Sequence, residues 1–383
     1  MQSIDVEKLL VTACSGEGLS IQERRRVGLV YKDLMEDLPL RSFDAATLRD
    51  AMARRLHRGS AATGQINLAA VPGMIDEYVK MCDTIFAGLG ARFTAEELAQ
   101  LRIALEGQLA DAYRASPRSR IVISYDFPVG RVLNYYVKAE WLTIEESYDH
   151  WVNTREPPLF GVEPDARVWA LAGEATDPKS HRVLDIGAGT GRNALALGRR
   201  GHPVDAVEMT PAFADIIRAE AEREALDVRV IQRDVFATLS DLRRDYRLIV
   251  LSEVVSDFRT TEQLRGVYEL AEHCLAPGGH LVFNVFLSCP EYFPDDAARE
   301  LGQQVYTAIF TREELAAAVR LLPLTLVGDD SVHDYEMAHL PEGAWPPTSW
   351  YARWVSGLDV FDVDRQSSPV EMRWLVYRKA VSA

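Results

Sequence analysis

The stretch Val183-Leu184-Asp185-Ile186-Gly187-Ala188-Gly189-Thr190-Gly191 constrains this chain more than any other. Val183–Ile186 is an apolar run of strand length, and Arg192–Arg200 carries a helical pattern. Glycines between a strand and a helix let the backbone take torsions closed to other residues and approach a ligand closely. A dinucleotide fingerprint, G-x-G-x-x-G, beginning at Gly187 would need its third glycine at position 192, where Arg192 stands. The third glycine is instead Gly191, and Asp185 sits two residues before the first. A carboxylate at that strand end repels a pyrophosphate and can draw in an ammonium. The spacing argues against a dinucleotide.

Around this turn, strand and helix alternate. Val204–Glu208, Val228–Gln232, Leu248–Ser252 and His280–Val285 are further apolar strands, and a helix is expected from Thr261 to about Leu275. Thr210 and Pro211 make an N-cap and first-turn pair that opens a helix running to about Ala225. Leu324–Val327 and Arg373–Tyr377 read as a last antiparallel pair closing the sheet. The pattern predicts an α/β, doubly wound, mostly parallel sheet. The first 115 or so residues read as helices instead. Ser20 with Glu23 and Thr94 with Glu97 form capping boxes, and Leu101, Leu105 and Leu109 share one helical face. Ile121–Tyr125 reads as a short strand. An N-terminal helical cap or dimerisation domain is therefore expected over 1–125 and the α/β domain over 126–383, with its core at 182–380.

D-x-G-x-G-x-G followed by an acid ending the next strand, Glu208, resembles the class I S-adenosylmethionine (SAM)-dependent methyltransferases. Asp234 after the third strand, Ser252 and Glu253 ending the fourth, and the turn Leu275-Ala276-Pro277-Gly278-Gly279 fall in the same order. Gly191-Arg192-Asn193 with Leu195, Leu197 and Gly201 is most similar to the tellurite-resistance-type, small-molecule branch. The resemblance covers Val183 to about Lys379 and implies a Rossmann-like, seven-stranded sheet with SAM as cofactor. It places Gly187, Gly189, Gly191 and Asn193 around the methionine and ribose parts of SAM, with Asp185 near the methionine end. By the same resemblance Glu208 takes both ribose hydroxyls, which needs its oxygens free. Met209 lies on the adenine face, Asp234 accepts from the adenine amine, and the Val235 N–H meets a ring nitrogen. Ser252 closes the cofactor set.

A sulfonium methyl is already activated, so such a protein supplies chiefly alignment, and a base only if the nucleophile carries a proton. Glu253, Ser256 and Asp257, just past the fourth strand, are the candidate acid–base groups, because ligands collect at the carboxyl ends of open α/β sheets. Residues upstream of the glycine motif often form a lid in this family, which makes Tyr136 and Tyr148 candidates to reach SAM, with Tyr148 a catalytic candidate as well. The aromatic-rich segments Tyr135–Phe160 and Asp334–Asp364 are expected to select the substrate. In the second, Trp350 and Trp354 stand four apart, consistent either with a buried helical face or with an aromatic wall about a sulfonium. His150, His202, His333 and His339 have no spacing that links them to a partner, and no metal motif appears.

Composition narrows the partners. With 42 basic and 57 acidic residues the net charge is −15, which argues against a broad grip on nucleic acid or anionic membrane. The absence of an N-P-P-Y-like signature lowers nucleic acid further. No run of about 18 apolar residues suggests a membrane span. Cys14, Cys82, Cys274 and Cys289 form no metal or disulfide pattern, and no signal peptide is read, so a cytoplasmic enzyme with a small-molecule substrate is expected. Methyl transfer to a small metabolite leads. Cyclisation of SAM on itself with release of methylthioadenosine, a non-catalytic SAM-binding scaffold, and a NAD oxidoreductase are the alternatives. The helical half would cap the site, pair two copies, or both.

Overall fold

The computed structural model describes residues 45–57, 61–129, 132–141, 158–237 and 242–381. The chain forms two compact units, one of 1–62, 85–92 and 127–133, the other of 63–84, 93–126 and 134–383. In the first lies α1 (Ala45–His57), whose Leu48, Met52 and Leu56 recur every fourth residue and are exposed.

The second unit opens with a three-stranded sheet in the order β1 (Ala62–Ala69), β2 (Arg120–Phe127), β3 (Asn134–Glu140). β2 and β3 are antiparallel. Between β1 and β2 run α2 (Ile75–Gly88) and α3 (Ala95–Ala115). α3 has the expected capping box: the Glu97 N–H donates to Thr94 Oγ1 at 3.2 Å, and the Thr94 N–H to Glu97 Oε2 at 2.7 Å. Leu101, Leu105 and Leu109 are fully buried, as their spacing requires. The expectation of helix throughout the first 115 residues needs correction, because β1 is a strand. Its alternation is confined to Ile66 and Leu68, the two buried side chains of Ala62–Ala69, too short a signal to separate from a turn. The other capping box, Ser20 with Glu23, lies outside the described residues.

The main sheet comprises β4 (Val183–Ile186), β5 (Val204–Val207), β6 (Val228–Ile231), β7 (Tyr246–Leu251), β8 (Leu275–Ser288), β10 (Leu324–Ser331) and β11 (Val370–Lys379). Their order is β10-β11-β8-β7-β4-β5-β6, and a two-residue strand, β9 (Ile309–Phe310), adds to β8. β4, β5, β6, β7 and β8 are parallel, and β11 runs antiparallel to both β8 and β10. Helices α4 (Ala166–Gly173), α5 (Arg192–Arg199), α6 (Pro211–Arg223), α7 (Thr261–Cys274), α8 (Asp296–Gln304), α9 (Arg312–Val319), α10 (Val332–His339) and α11 (Tyr351–Val355) accompany the strands.

The strands are apolar on both faces, and their side chains alternate between two cores. Leu184, Ile186, Ile249 and Leu251 pack with Leu264, Val267 and Tyr268 of α7. Val183, Leu248 and Val250 pack on the other face with Val168 of α4, Leu195 of α5 and Ile217 of α6. Burying one such side chain contributes roughly 1.5–3 kcal/mol. β4 has β5 on one side and β7 on the other. The chain winds outward from β4 through β5 to β6, then returns to β7. The carboxyl ends of β4 and β7 are therefore the topological switch point, where an open α/β sheet leaves a crevice.

Candidate functional site

At that crevice the glycine turn is held by strand-end bonds. The N–H groups of Gly187 and Ala188 donate to the Val207 carbonyl at 2.8 and 3.2 Å, and that of Gly191 to Ala188 at 2.9 Å. Gly187, Gly189 and Gly191 have φ of +68°, +55° and +89°, all left-handed. A Cβ on Gly187 would stand 2.4 Å from Cγ2 of Val254, and one on Gly191 2.9 Å from the Leu195 side chain. Gly189 is roomier, its nearest neighbour being the Phe160 ring at 3.6 Å. Gly191 ends the turn as the N-cap of α5.

Two carboxylates bracket the turn. Asp185, 2 % exposed, ends β4, and its Oδ2 has no hydrogen-bond partner in the protein. Burial, reinforced by the neighbouring Asp165 carboxylate, pushes its pKa up to about 7. Glu208 follows β5. Its oxygens are not free, which corrects the expectation: Oε2 accepts the Gly189 N–H at 2.8 Å and Oε1 the Thr210 N–H at 2.7 Å. Glu208 thereby props the glycine turn and the start of α6. Burial raises its pKa against these bonds. Met209 beside it is 54 % exposed. Asp234 is exposed and accepts the Phe236 N–H at 2.9 Å, closing the short turn Val235–Ala237.

Behind the turn lies a buried polar network that spacing alone did not reveal. Arg192, the first residue of α5, reaches Asp165 Oδ1 at 2.7 Å through Nη1 and Glu253 Oε1 at 2.8 Å through Nη2. Asp165 is 1 % exposed and precedes α4. Its Oδ2 accepts Ser252 Oγ at 2.7 Å and Asn193 Nδ2 at 2.8 Å, while its N–H donates to Asn193 Oδ1 at 3.0 Å. The structure thus turns Ser252 and Asn193, two expected cofactor residues, onto Asp165. Glu336 of α10 accepts from the N–H groups of Ala166 and Arg167 and from Trp374 Nε1 at 2.9 Å. Glu253 has φ +62°, a strained torsion for a residue with a side chain, and its N–H donates to Asn284 Oδ1 at 2.7 Å. Burial outweighs the pull of Arg192 and pushes Glu253 up to about 7, and burial with Asp165 does the same to Glu336. Tyr351, 1 % exposed, completes the cluster with a hydroxyl that has no partner.

The sequence held faint signals for these residues: Asp165 stands before a helical run, and Arg192 stands in the Gly191-Arg192-Asn193 stretch, with nothing in either spacing to link the two.

Asp257 differs from expectation. Arg118, just ahead of β2, pairs with it at 2.5 Å, donates to the Gln303 carbonyl, and lies 3.5 Å over the Tyr306 ring. Asp257 therefore anchors a buried guanidinium and is not a free base. Ser256 is buried and donates to the Glu253 carbonyl at 2.8 Å, which holds the post-β7 turn. Tyr136 stands on β3 of the small sheet, 68 % exposed, with the turn on another sheet. Tyr148 and His150 lie outside the described residues.

Among the described residues, the end of the first aromatic-rich segment lies at the glycine turn and next to the second segment. Phe160 packs edge-on to Phe213 of α6, with centroids 5.6 Å apart, and covers Gly189. Its neighbour Gly161 abuts Pro347, which a Cβ there would approach to 2.8 Å. In the second segment Trp354 is buried against Phe286 and Trp350, so packing accounts for it. His202 is buried against His181, whose carbonyl lies 2.9 Å from Nδ1, at the amino end of β4 and away from the turn. His333 pairs with Asp334 at 3.0 Å, and His339 caps the Tyr335 carbonyl at 2.8 Å. Among the described residues, no group of three or more His, Cys, Asp or Glu is placed to hold a metal, and no helix is long and apolar enough to cross a membrane.

Residues 183–279 match the family described as methyltransferase domain. The ubiquinone biosynthesis O-methyltransferase of Coxiella burnetii (strain Dugway 5J108-111) is 26% identical over 109 residues, which are 28% of this chain and 44% of that protein. The chain thus spans less than half the length of the curated relatives it matches. Among solved structures, geranyl diphosphate C-methyltransferase from Streptomyces coelicolor A3(2) is 14% identical with a TM-score of 0.46, covering 62% of this chain and 99% of that one. The [4+2]-cyclase SpnF is 17% identical with a TM-score of 0.41, covering 57% and 81%. Residues 183–279, from the glycine turn through the turn at Gly278 and Gly279, are thus the part of the chain that is similar to a methyltransferase domain.

Proposed function

We propose that this protein is a SAM-dependent methyltransferase acting on a small molecule. One observation carries the reading: three left-handed glycines with a filled space behind Gly187, set at the switch point between the Asp185 and Glu208 carboxylates. A Cβ at Gly187 would overlap Val254, and the surrounding charge suits a cationic ligand. When bound, SAM supplies an electrophilic methyl on a sulfonium. Gly187, Gly189 and Gly191 would give it a backbone floor, Asp185 would take its ammonium, and Glu208 would accept from the ribose. Met209, Asp234 and Val235 flank the adenine, as their place after β5 and β6 suggests.

The chain's own residues would do the rest. Phe160 would pack over the Gly189 side of the turn. Glu253, at the end of β7, takes a proton from the acceptor, and Arg192 sets the orientation of its carboxylate. Holding two reactants in line is worth roughly 7–11 kcal/mol in favourable cases. Gly191-Arg192-Asn193 supports placing the protein in the tellurite-resistance-type, small-molecule branch.

Calorimetric titration with SAM and with NADH tests the cofactor: SAM is expected to bind and NADH not to. Incubation with SAM alone, followed by mass spectrometry, tests the reaction. S-adenosylhomocysteine formed only when an acceptor is added supports methyl transfer. Methylthioadenosine from SAM alone identifies a cyclase, and tight binding without turnover identifies a scaffold.

A further inference from the structure

Three carboxylates, Asp165, Asp185 and Glu336, are buried around the carboxyl ends of β4 and β7 and a fourth, Glu253, is partly buried beside them; among the described residues Arg192 is the guanidinium ion-paired with any of them. A single cation cannot neutralise four acids so withdrawn from solvent, and a lone charge in a low-dielectric site costs several kcal/mol. Such a cluster either keeps protons or receives a positive ligand. Two further groups point to a ligand. The Tyr351 hydroxyl is buried without a partner, amid the fields of Glu253, Asp165 and Glu336. Asn284 Nδ2 is buried without a partner too, on the side chain whose Oδ1 holds the Glu253 N–H. Buried polar atoms are nearly always satisfied, so two orphans beside one strained glutamate mark a place where polar atoms of a bound molecule belong.

We propose that the acceptor is a primary or secondary amine, bound as its ammonium by Glu253 and its acidic neighbours beside the Tyr351 hydroxyl. The inference rests on the methyltransferase reading and narrows it. The surplus negative charge attracts an ammonium, gives a neutral alcohol nothing, and repels a carboxylate or phosphate. An ammonium has no lone pair with which to attack carbon. It becomes a nucleophile when one N–H proton passes to a Glu253 oxygen, leaving a neutral amine and a protonated carboxyl. Charge is conserved, and both products sit in the buried site more cheaply than the ions did. Tyr351 then has the Glu253 carbonyl oxygen to donate to, and Asn284 the opposite carboxyl edge, leaving the amine lone pair for the methyl carbon.

The test uses the full chain loaded with S-adenosylhomocysteine, whose binding is measured first by calorimetry. If it does not bind, the methyltransferase reading fails and the acceptor question falls with it. With it bound, amines from methylamine to tryptamine are titrated beside the alcohol and the carboxylate of the same carbon skeleton. At least one amine is expected to bind ten-fold or more tighter than its alcohol, with the carboxylates weakest. Glu253→Gln should erase that preference while the nucleoside still binds, and Tyr351→Phe, which keeps the packing, should reduce it several-fold. Alcohols or carboxylates that bind as well as amines would overturn the proposal, as would an amine preference that survives Glu253→Gln. Binding of no amine once the nucleoside is in place assigns the carboxylates to the nucleoside's own ammonium, and overturns it equally.

Discussion

Asp165 Oδ1 lies 2.7 Å from Nη1 of Arg192, tying the residue that precedes α4 to the residue that opens α5 behind the glycine turn. Both are almost fully buried, and Arg192 also holds Glu253. One guanidinium thereby couples the start of α5, the start of α4 and the end of β7.

Breaking that clamp should cost more than a surface ion pair. Arg192→Met leaves Asp165 and Glu253 buried without a cation, and loss of one partner of a buried pair costs about 3–5 kcal/mol. A urea unfolding midpoint close to the parent's would show that the clamp is not structural. Asp165→Asn should be milder, since an amide still accepts from Ser252 Oγ.

The glycines should not be equivalent. Gly187→Ala combines a left-handed torsion, roughly 1–2 kcal/mol for a residue with Cβ, with overlap against Val254, about 1–3 kcal/mol. Gly189→Ala meets only the torsional cost, because its nearest neighbour is 3.6 Å away. SAM titrations on both variants, with melting curves, should show the larger loss at Gly187. Equal losses would mean that space behind the turn is irrelevant.

Asp257→Asn should damage stability and leave the cofactor alone. Arg118 would keep its Tyr306 stacking and lose its anionic partner, at a cost of about 3 kcal/mol. SAM affinity within two-fold of the parent is expected alongside a lowered melting temperature. A selective fall in turnover at unchanged stability would return Asp257 to the catalytic set.

Acid should weaken the fold through the histidine pair. Burial, with His202 and Arg247 nearby, pushes His181 down to about 4 from its ordinary 6.5, and burial lowers His202 and His280 as well. Between pH 6.5 and 4 the unfolded chain binds a proton that folded His181 refuses. Its contribution is therefore complete above about pH 6.5 and is lost as pH falls toward 4. His181→Gln should flatten the dependence of the urea midpoint over that window.

Turnover should rise with pH through about 7, where Glu253 ionises and can take a proton. Asp185 titrates in the same region, so the parent profile is composite. The part that belongs to Glu253 is the limb absent from Glu253→Gln and present in Asp185→Asn. A limb unchanged in Glu253→Gln would assign the proton elsewhere.

The alternation of short apolar strands with helices and the strand-end glycines were legible because each is a local property. Backbone torsion at Gly187 and two-faced burial of Val183–Ile186 follow from residues within a few positions. β1 was missed because two alternating side chains carry too little signal, and its pairing with β2 crosses more than fifty residues. The role given to Asp257 failed for a related reason, since the cation that engages it comes from the far side of β2 in sequence.

What the sequence determined by itself is the glycine turn: three left-handed glycines between a strand and a helix, with an acid before them and an acid after the next strand. What the tertiary structure decided is the other half. Asp165, Arg192, Glu253, Glu336 and Tyr351 span 187 positions from first to last and have no common spacing. Only the placing of β4 beside β7, with α10 and α11 packed next to them, brings these three acids around one guanidinium. Charge in a low-dielectric interior acts through space, and that distance is set by the fold.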